Sequence, residues 1–300
     1  MSITGIGIDL GGTQTKGACF DLDSGEILKK QVSPTRDGET ENGKPAFVVQ
    51  VEKLVAELGG ERAECIGLSA PGLANQSASA IDFMPGRLDG LEDLDWPKTL
   101  RHSVFVLNDA HAALLGEIWQ GNAKNLQDVI LLTLGTGVGG AVFSEGRLLR
   151  GHRGLAGHLG HIPVDFRGAR DNTGMPGSLE DFIGNHNVSD RSGGRFSSTR
   201  DLIDALKSGD ETAEQTWDES MRALAAGVAG LVNCFDPEVV LIGGGISRAW
   251  EEIEPRIKAY LDQFEWRPGN GAVEIRKAEL GEWAGVYGAM SFAIKGNFTP

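Results

Sequence analysis

Two glycine-rich turns, each set between apolar strand-like runs, constrain this chain more than any other feature. Ile8-Asp9-Leu10-Gly11-Gly12-Thr13 near the start is matched by Leu132-Thr133-Leu134-Gly135-Thr136-Gly137 in the second half. Around both the order is the same: strand, turn, strand, turn, strand. The first set is expected at Ile3–Leu10, Thr15–Leu22 and Glu26–Val32, the last after the turn Asp23-Ser24-Gly25. The second is expected at Val129–Leu134, Gly139–Ser144 and Arg147–Leu149. Strands this closely spaced can pair only as antiparallel hairpins, because a parallel crossover needs a dozen or more residues. A weak internal repeat of this kind implies two lobes, each opening on a hairpin unit. It also explains the glycine content, 43 of 300 residues, about twice the usual share. The glycines cluster in short loops beside apolar runs, and no collagen-like or low-complexity period accounts for them.

Helical periodicity fills the intervals. Val48, Val51, Leu54, Val55 and Leu58 mark a helix over Phe47–Leu58. A strand at Cys65–Ser69 ends at Pro71-Gly72, and another at Val104–Leu107 precedes a helix at Ala110–Trp119. The polar, turn-rich stretch 185–200 reads as an exposed loop. Helices are expected at Thr199–Leu206, Gln215–Phe235, Ala249–Phe264 and Leu280–Ile294, with a strand at Val239–Ile242. The mixture is α/β, and 300 residues suit about two domains, or one large domain with two lobes.

Composition removes several function classes. No run approaches the 18 or so apolar residues of a membrane span, and the N-terminus lacks the basic and apolar pattern of a secretory signal. With 42 acidic against 28 basic residues the net charge is -14, the wrong sign for displacing counterions from nucleic acid. Cys19, Cys65 and Cys234 lie far apart without a CxxC pair, so neither a disulfide framework nor a thiolate metal site is visible. A reducing cytoplasm is the expected location.

Asp9-Leu-Gly-Gly-Thr-Gln-Thr-Lys16 sits at a strand–turn–strand junction. Gly11 and Gly12 let backbone N–H groups approach phosphate oxygens, Thr13 adds a hydroxyl and Lys16 a cation. Asp9 could hold Mg²⁺, directly or through water. The competing reading is a hairpin turn that needs positive φ. Leu134-Gly-Thr-Gly-Val-Gly-Gly140 is a second turn of the type, with Gly135, Thr136, Gly137 and Gly139 as candidate phosphate contacts. A β run rather than a helix follows it, which excludes a Rossmann fingerprint, and no Gly-Lys-Ser/Thr marks a Walker A loop. Gly243-Gly244-Gly245 could accept a base and ribose against bare backbone, or could simply start a helix. Asn108-Asp109 follows a strand and opens a helix, which suits N-capping and, beside phosphate loops, a general base. His158, His161, Asp171 and Glu180 form the one concentration of histidine and carboxylate. They suit a pocket for a polyhydroxylated ligand better than a metal site.

Taken together these residues resemble the ROK family (repressor, open reading frame, kinase) of sugar kinases and sugar-responsive repressors, nearly end to end. Asp9–Lys16 is similar to its first phosphate motif, Ser69-Ala-Pro-Gly72 to its sugar-side loop, and Asn108-Asp109-Ala110 to the segment with the catalytic base. Leu134–Gly140 is similar to the second phosphate motif. Gly157-His-Leu-Gly-His161 and Gly174-Met-Pro-Gly-Ser-Leu-Glu180 resemble the signature region, and Asp236–Gly245 the adenosine side. The resemblance implies an actin-like, ribonuclease-H-like fold of two lobes with ATP and sugar in a central cleft. The lobes would be 1–115, with a C-terminal helix at about 282–300 packing back on it, and 116–281.

It further implies an ATP- and Mg²⁺-dependent hexose kinase with Asp109 as base, Gly72, Asn108, His158, His161 and Glu180 on the sugar, and Gly244 and Gly245 on the nucleotide. A homodimer is implied by analogy. Three alternatives stand beside this: a polyphosphate-dependent glucokinase, a non-catalytic sugar sensor, and a repressor. A repressor would need a helix–turn–helix ahead of Asp9, where there is no room. The chain also departs from the pattern. The three zinc-binding cysteines of the family are Asp171, Thr173 and Ser178 here, so no structural zinc is expected and the loop must be held by packing or hydrogen bonds. The usual sugar-binding Glu is His158, and Arg87 stands near the place of an Asn that contacts sugar in many relatives.

Overall fold

The computed structural model describes residues 3–171 and 173–297. They form two compact units, the first of 3–125, 150–155 and 280–297, the second of 126–149, 156–171 and 173–279. In the first unit, strands β1 (Thr4–Leu10), β2 (Gln14–Asp21) and β3 (Ile27–Pro34) precede helix α1 (Ala46–Glu57). Strand β4 (Ala63–Ala70), strand β5 (Val104–Asn108) and helix α2 (Asp109–Gln120) follow. The sheet order is β3-β2-β1-β4-β5. The hairpin β1–β2 is antiparallel, while β1–β4 and β4–β5 are parallel. Registers of Asp9 with Ser69 and of Ala70 with Asn108 gather the carboxyl ends of the three parallel strands at one edge.

Strand alternation decides what covers each face. Ile6, Ile8 and Leu10 are fully buried and pack with Phe47, Val51 and Leu54 of α1, each contributing about 1.5–3 kcal/mol of apolar burial. The alternate residues, Gly5 and Gly7, face the C-terminal helix, Ala284–Asn297. That helix lies against β1, β4 and α2 at backbone contact distance. A methyl on Gly7 would strike the Val286 carbonyl, one on Gly67 the Ala289 carbonyl, and one on Gly288 the Ala112 carbonyl. Glycine here serves close approach, not positive φ.

The second unit repeats the scheme with β6 (Val129–Leu134), β7 (Val138–Ser144) and β8 (Arg147–Leu148). Helices α3 (Leu179–Ile183), α4 (Val188–Arg191), α5 (Thr199–Lys207) and α6 (Glu211–Phe235) come next, then β9 (Val239–Gly243), α7 (Trp250–Phe264) and β10 (Glu274–Lys277). The order β8-β7-β6-β9-β10, with an antiparallel hairpin and two parallel partners, is that of the first sheet. Two mixed sheets of this order give the actin-like, ribonuclease-H-like α/β fold. Ile130, Leu132 and Leu134 share one core with Trp217, Met221 and Val228 of α6, and Trp217 Nε1 donates to the Glu252 carbonyl of α7 at 3.1 Å.

Several expected boundaries move. The stretch 185–200 is not an exposed loop: it holds a 3-10 turn at Asn185–Asn187 and α4, and its two large apolar residues, Val188 and Phe196, are buried in the core. Helix α6 starts at Glu211 because the Asp210 side chain caps it, accepting from Ala213 N. Strand β10 escaped notice because only Ile275 of its Glu-Ile-Arg-Lys is buried. The first unit runs on to Asn125, since α2 extends to Gln120 and packs against the C-terminal helix. That helix is preceded by a 3-10 turn, Gly281–Trp283, and positions 298–300 lie outside the described residues. Among the described residues no helix is long and apolar enough to cross a membrane.

Gly288→Ala should destabilise the protein by about 3 kcal/mol or more, because a backbone carbonyl, not a mobile side chain, occupies the space. Urea unfolding against wild type measures this; a loss below about 0.5 kcal/mol would contradict the packing described.

Candidate functional site

In the first unit Asp9 and Ser69 are the penultimate residues of β1 and β4 and Asn108 ends β5, so the sheet edge collects three polar side chains. Ser69 Oγ donates to Asp9 Oδ1 at 2.9 Å. Burial pushes the Asp9 carboxyl up to about 6, helped by repulsion from Asp109 and opposed by the Ser69 hydrogen bond and the Lys16 charge. Lys16 lies opposite Asp9 in the hairpin register, its Nζ 3.3 Å from Glu282. Asn108 is buried and caps α2, its Oδ1 accepting from Ala110 N at 3.0 Å and His111 N at 3.2 Å. Its Nδ2 donates to the Gly72 carbonyl at 2.9 Å. The capping reading therefore holds for Asn108, and it leaves the next residue, Asp109, exposed at the first turn of the helix. Gly72 has φ of 99° and is closed in by the Phe83 carbonyl, which excludes any side chain there.

The turn between β1 and β2 is held by a residue without any sequence signal. Thr35 Oγ1 donates to the Gly11 carbonyl at 2.6 Å, and Thr35 N donates to the Thr13 carbonyl at 2.9 Å. Thr35 itself is buried, beside Thr15 Oγ1. With both carbonyls tied and Gly11 N bonded to Gln14 O, the N–H groups of Gly12 and Thr13 have no acceptor among the described residues.

The second turn is built in the same way from different parts. Asn185 N donates to the Gly135 carbonyl at 2.9 Å and His186 N to the Thr136 carbonyl at 3.0 Å. The N–H groups of Thr136 and Gly137 lack an acceptor among the described residues. Glu180, on α3, reaches this turn: its Oε2 accepts from Val138 N at 2.7 Å and closes on Gly137. His158 precedes and His161 closes a 3-10 turn whose Gly160 abuts the Val138 carbonyl, and His161 Nδ1 is buried without a partner among the described residues. The signature region thus packs directly on the second glycine turn. Gly139 continues into β7. Gly244, at φ of 82°, lets the end of β9 pass against Leu134, and a 3-10 turn from Gly245 to Ala249 leads into α7.

A cavity of about 470 Å³ opens here, lined by Gly135, Thr136, Asn185, Thr199, Gly245 and Arg248 among others. The Thr199 hydroxyl is buried without a partner among the described residues. A cavity of this size suits a nucleoside, and the adjoining second turn, with two N–H groups that lack an acceptor among the described residues, suits an anion. A carboxylate at a strand end beside such a turn suits Mg²⁺, which takes few protein ligands and keeps waters.

The residues at the three cysteine positions of the family pattern hold one another. Asp171 Oδ1 accepts from Thr173 N at 2.9 Å, Thr173 Oγ1 at 2.6 Å and Met175 N at 3.0 Å. Burial works to raise this carboxyl, but the hydrogen bonds from Thr173, Ser178 and Met175 outweigh it and hold Asp171 well below the usual carboxylate range.

The sequence-derived residues fall into two groups. Asp9, Gly11, Gly12, Thr13, Lys16, Gly72, Asn108 and Asp109 belong to the first unit; Gly135 to Gly139, His158, His161, Glu180, Gly244 and Gly245 belong to the second. Thr35, Asn185 and His186 were missed, being single polar residues distant in sequence from the turns they clamp.

Because Asp9 is raised on folding, its contribution favours the folded state at low pH and is lost as pH climbs from about 4 through about 6. Asp9→Asn, measured without Mg²⁺, should therefore melt above wild type at pH 8, with the gap closing as pH falls below 5. A gap independent of pH would contradict the desolvation of Asp9.

Comparison with known proteins identifies the family. The ROK family model matches residues 5–296. The glucokinase of Thermotoga maritima is 34% identical, over 95% of this chain and 96% of that protein. The N-acetylmannosamine kinase of Escherichia fergusonii is 30% identical, over 97% and 98%. A ROK family glucokinase from Streptomyces griseus, solved with glucose and AMPPNP, superposes with a TM-score of 0.78 at 28% identity, covering 98% of this chain and all of that one. Matched along 292 of its residues, from 5 to 296 inclusive, this chain belongs to the ROK family.

Proposed function

We propose that the chain transfers the γ-phosphoryl group of ATP to a hydroxyl of a hexose or hexose derivative, with Asp109 as general base. Sugar phosphorylation is the activity named for the relatives that match nearly full length, and the chain is a sugar kinase. The observation that carries the ATP reading is the pair of matching turns. In each, two carbonyls are hydrogen-bonded within the protein and two consecutive N–H groups have no acceptor among the described residues. The AMPPNP bound to the Streptomyces griseus enzyme supports the same reading.

Phosphoryl transfer asks the protein mainly for positioning and charge stabilisation. The turns at Gly11–Thr13 and Gly135–Gly139, with Lys16, would hold phosphates, and the cavity beside Gly245 the nucleoside. Mg²⁺ near Asp9, when bound, supplies charge neutralisation at the phosphates. Asp109, exposed and placed by the Asn108 cap, accepts the proton of the attacking hydroxyl. Gly72, Asn108, His158, His161 and Glu180 orient the sugar. His161 Nδ1, buried and without a partner among the described residues, is a group a sugar hydroxyl would satisfy. His158 replaces an acceptor-only carboxylate by an imidazole that can also donate, so the hydroxyl it orients differs from that in Glu-bearing relatives. Polyphosphate as donor is the second reading, and the net charge of -14 weighs against it. Cytoplasmic location, homodimerisation and the absence of a nucleic-acid partner complete the proposal.

The test is ADP formation with ATP and Mg²⁺ across hexoses, N-acylhexosamines and ketohexoses, for wild type beside Asp109→Asn. Wild type should release ADP with at least one sugar. The variant should lose about 10²–10⁴-fold in kcat while binding ATP normally. Near-normal turnover in Asp109→Asn would remove the base assignment, and faster reaction with polyphosphate than with ATP would reverse the choice of donor.

A further inference from the structure

Arg87 is a cation without an evident structural task. Among the described residues it takes part in no ion pair and no hydrogen bond, in a chain carrying 42 acidic side chains. Its position is nonetheless set. Leu88, next in the chain, is fully buried, and Leu88 N donates to Asp37 Oδ1 at 2.9 Å. Gly86 before it turns the backbone at φ of 90°. Asp37 lies two residues beyond Thr35, the residue that ties the first glycine turn, so one short segment fixes both the turn and the strap bearing Arg87.

The guanidinium lies along that turn. A methyl built on Gly12 would stand 3.2 Å from Arg87 Nη1, 3.8 Å from Cδ and 3.9 Å from Cζ. Beside it are the N–H groups of Gly12 and Thr13, which have no acceptor among the described residues. Three donors, the guanidinium and two backbone N–H groups, therefore meet there, and none has an acceptor among the described residues. A guanidinium offers donors only, in a planar fork that matches two oxygens of a phosphate or carboxylate. It cannot accept from a hydroxyl.

We propose that Arg87 is an anion ligand of the first glycine turn, clasping phosphate oxygens of the donor together with the Gly12 and Thr13 N–H groups. This rests on the reading of the chain as an ATP-dependent sugar kinase and adds a residue to its phosphate machinery. An anionic substituent on the sugar would present the same chemistry, and the experiment separates the two sources.

Wild type, Arg87→Gln and Arg87→Lys are titrated calorimetrically with ATP, ADP and AMP in Mg²⁺ and with inorganic tripolyphosphate, and assayed with the sugar found active. Thermal melts confirm that each variant is folded. Arg87→Gln should bind ATP and tripolyphosphate about tenfold or more weakly, the value of a lost charge-assisted hydrogen bond. AMP should be unaffected, kcat should fall about 10–100-fold, and KM for the sugar should stay within about twofold. Arg87→Lys should recover part of the loss, restoring charge without the fork.

Unchanged tripolyphosphate and ATP binding with unchanged kinetics would overturn the assignment. A rise in sugar KM alone, with nucleotide binding intact, would move Arg87 to the sugar and equally overturn it. If wild type phosphorylated no sugar, the kinase reading would fail on its own, while the tripolyphosphate titrations would still decide the anion contact.

Discussion

The first unit depends on a contact between backbones. The C-terminal helix lies so close to β1, β4 and α2 that only glycine fits at Gly7, Gly67, Gly116 and Gly288, each facing a carbonyl of the opposite element. Dense packing of this kind has little room to relax. The same contact reaches the chemistry: a methyl on Gly285 of that helix would stand 2.7 Å from the Asp9 carboxylate. The strand that carries Asp9 and the helix that opens on Asp109 are thus clamped by one element. Desolvation of Asp9 is a consequence of the clamp, and so is its pKa near 6.

The glycine turns illustrate a division of labour. Glycine makes each turn possible, but what makes it an anion site is the disposal of its carbonyls. In the first turn a buried threonine and its own N–H take them; in the second, the N–H groups of Asn185 and His186 do so. Glu180 adds a second hold on the latter through Val138 N. Two unrelated sets of residues reach one result, a pair of N–H groups left without an acceptor among the described residues in a turn held before any ligand arrives. Preorganised dipoles of this kind stabilise charge without the cost of reorientation.

The signature region shows how a loop keeps its shape when its usual thiolates are replaced. A carboxylate with several hydrogen bonds, some from backbone N–H groups, is a compact staple. Asp171 bonds to Thr173 and Met175 in this way. The helix α3 that follows, capped by Ser178, presents Glu180 to the second turn. The polar positions of the departed pattern thus remain structurally employed.

Much of this was legible in the chain itself. Apolar alternation, glycine spacing and the repeat determined two hairpin-led sheets, because period-2 burial and short connections leave a strand no other partner. Asp9, Asn108, Asp109 and Glu180 stood out for the same local reasons. Burial of Val188 and Phe196 within a polar stretch, the edge strand β10, and the clamping of turns by Thr35, Asn185 and His186 were decided only by tertiary structure. Each depends on contacts between residues far apart in sequence, and a single polar or apolar residue carries no periodicity to announce them. The orientation of Arg87 along Gly12 is of that class as well: the sequence supplied a charge, and the fold around Leu88 and Asp37 decided where it points.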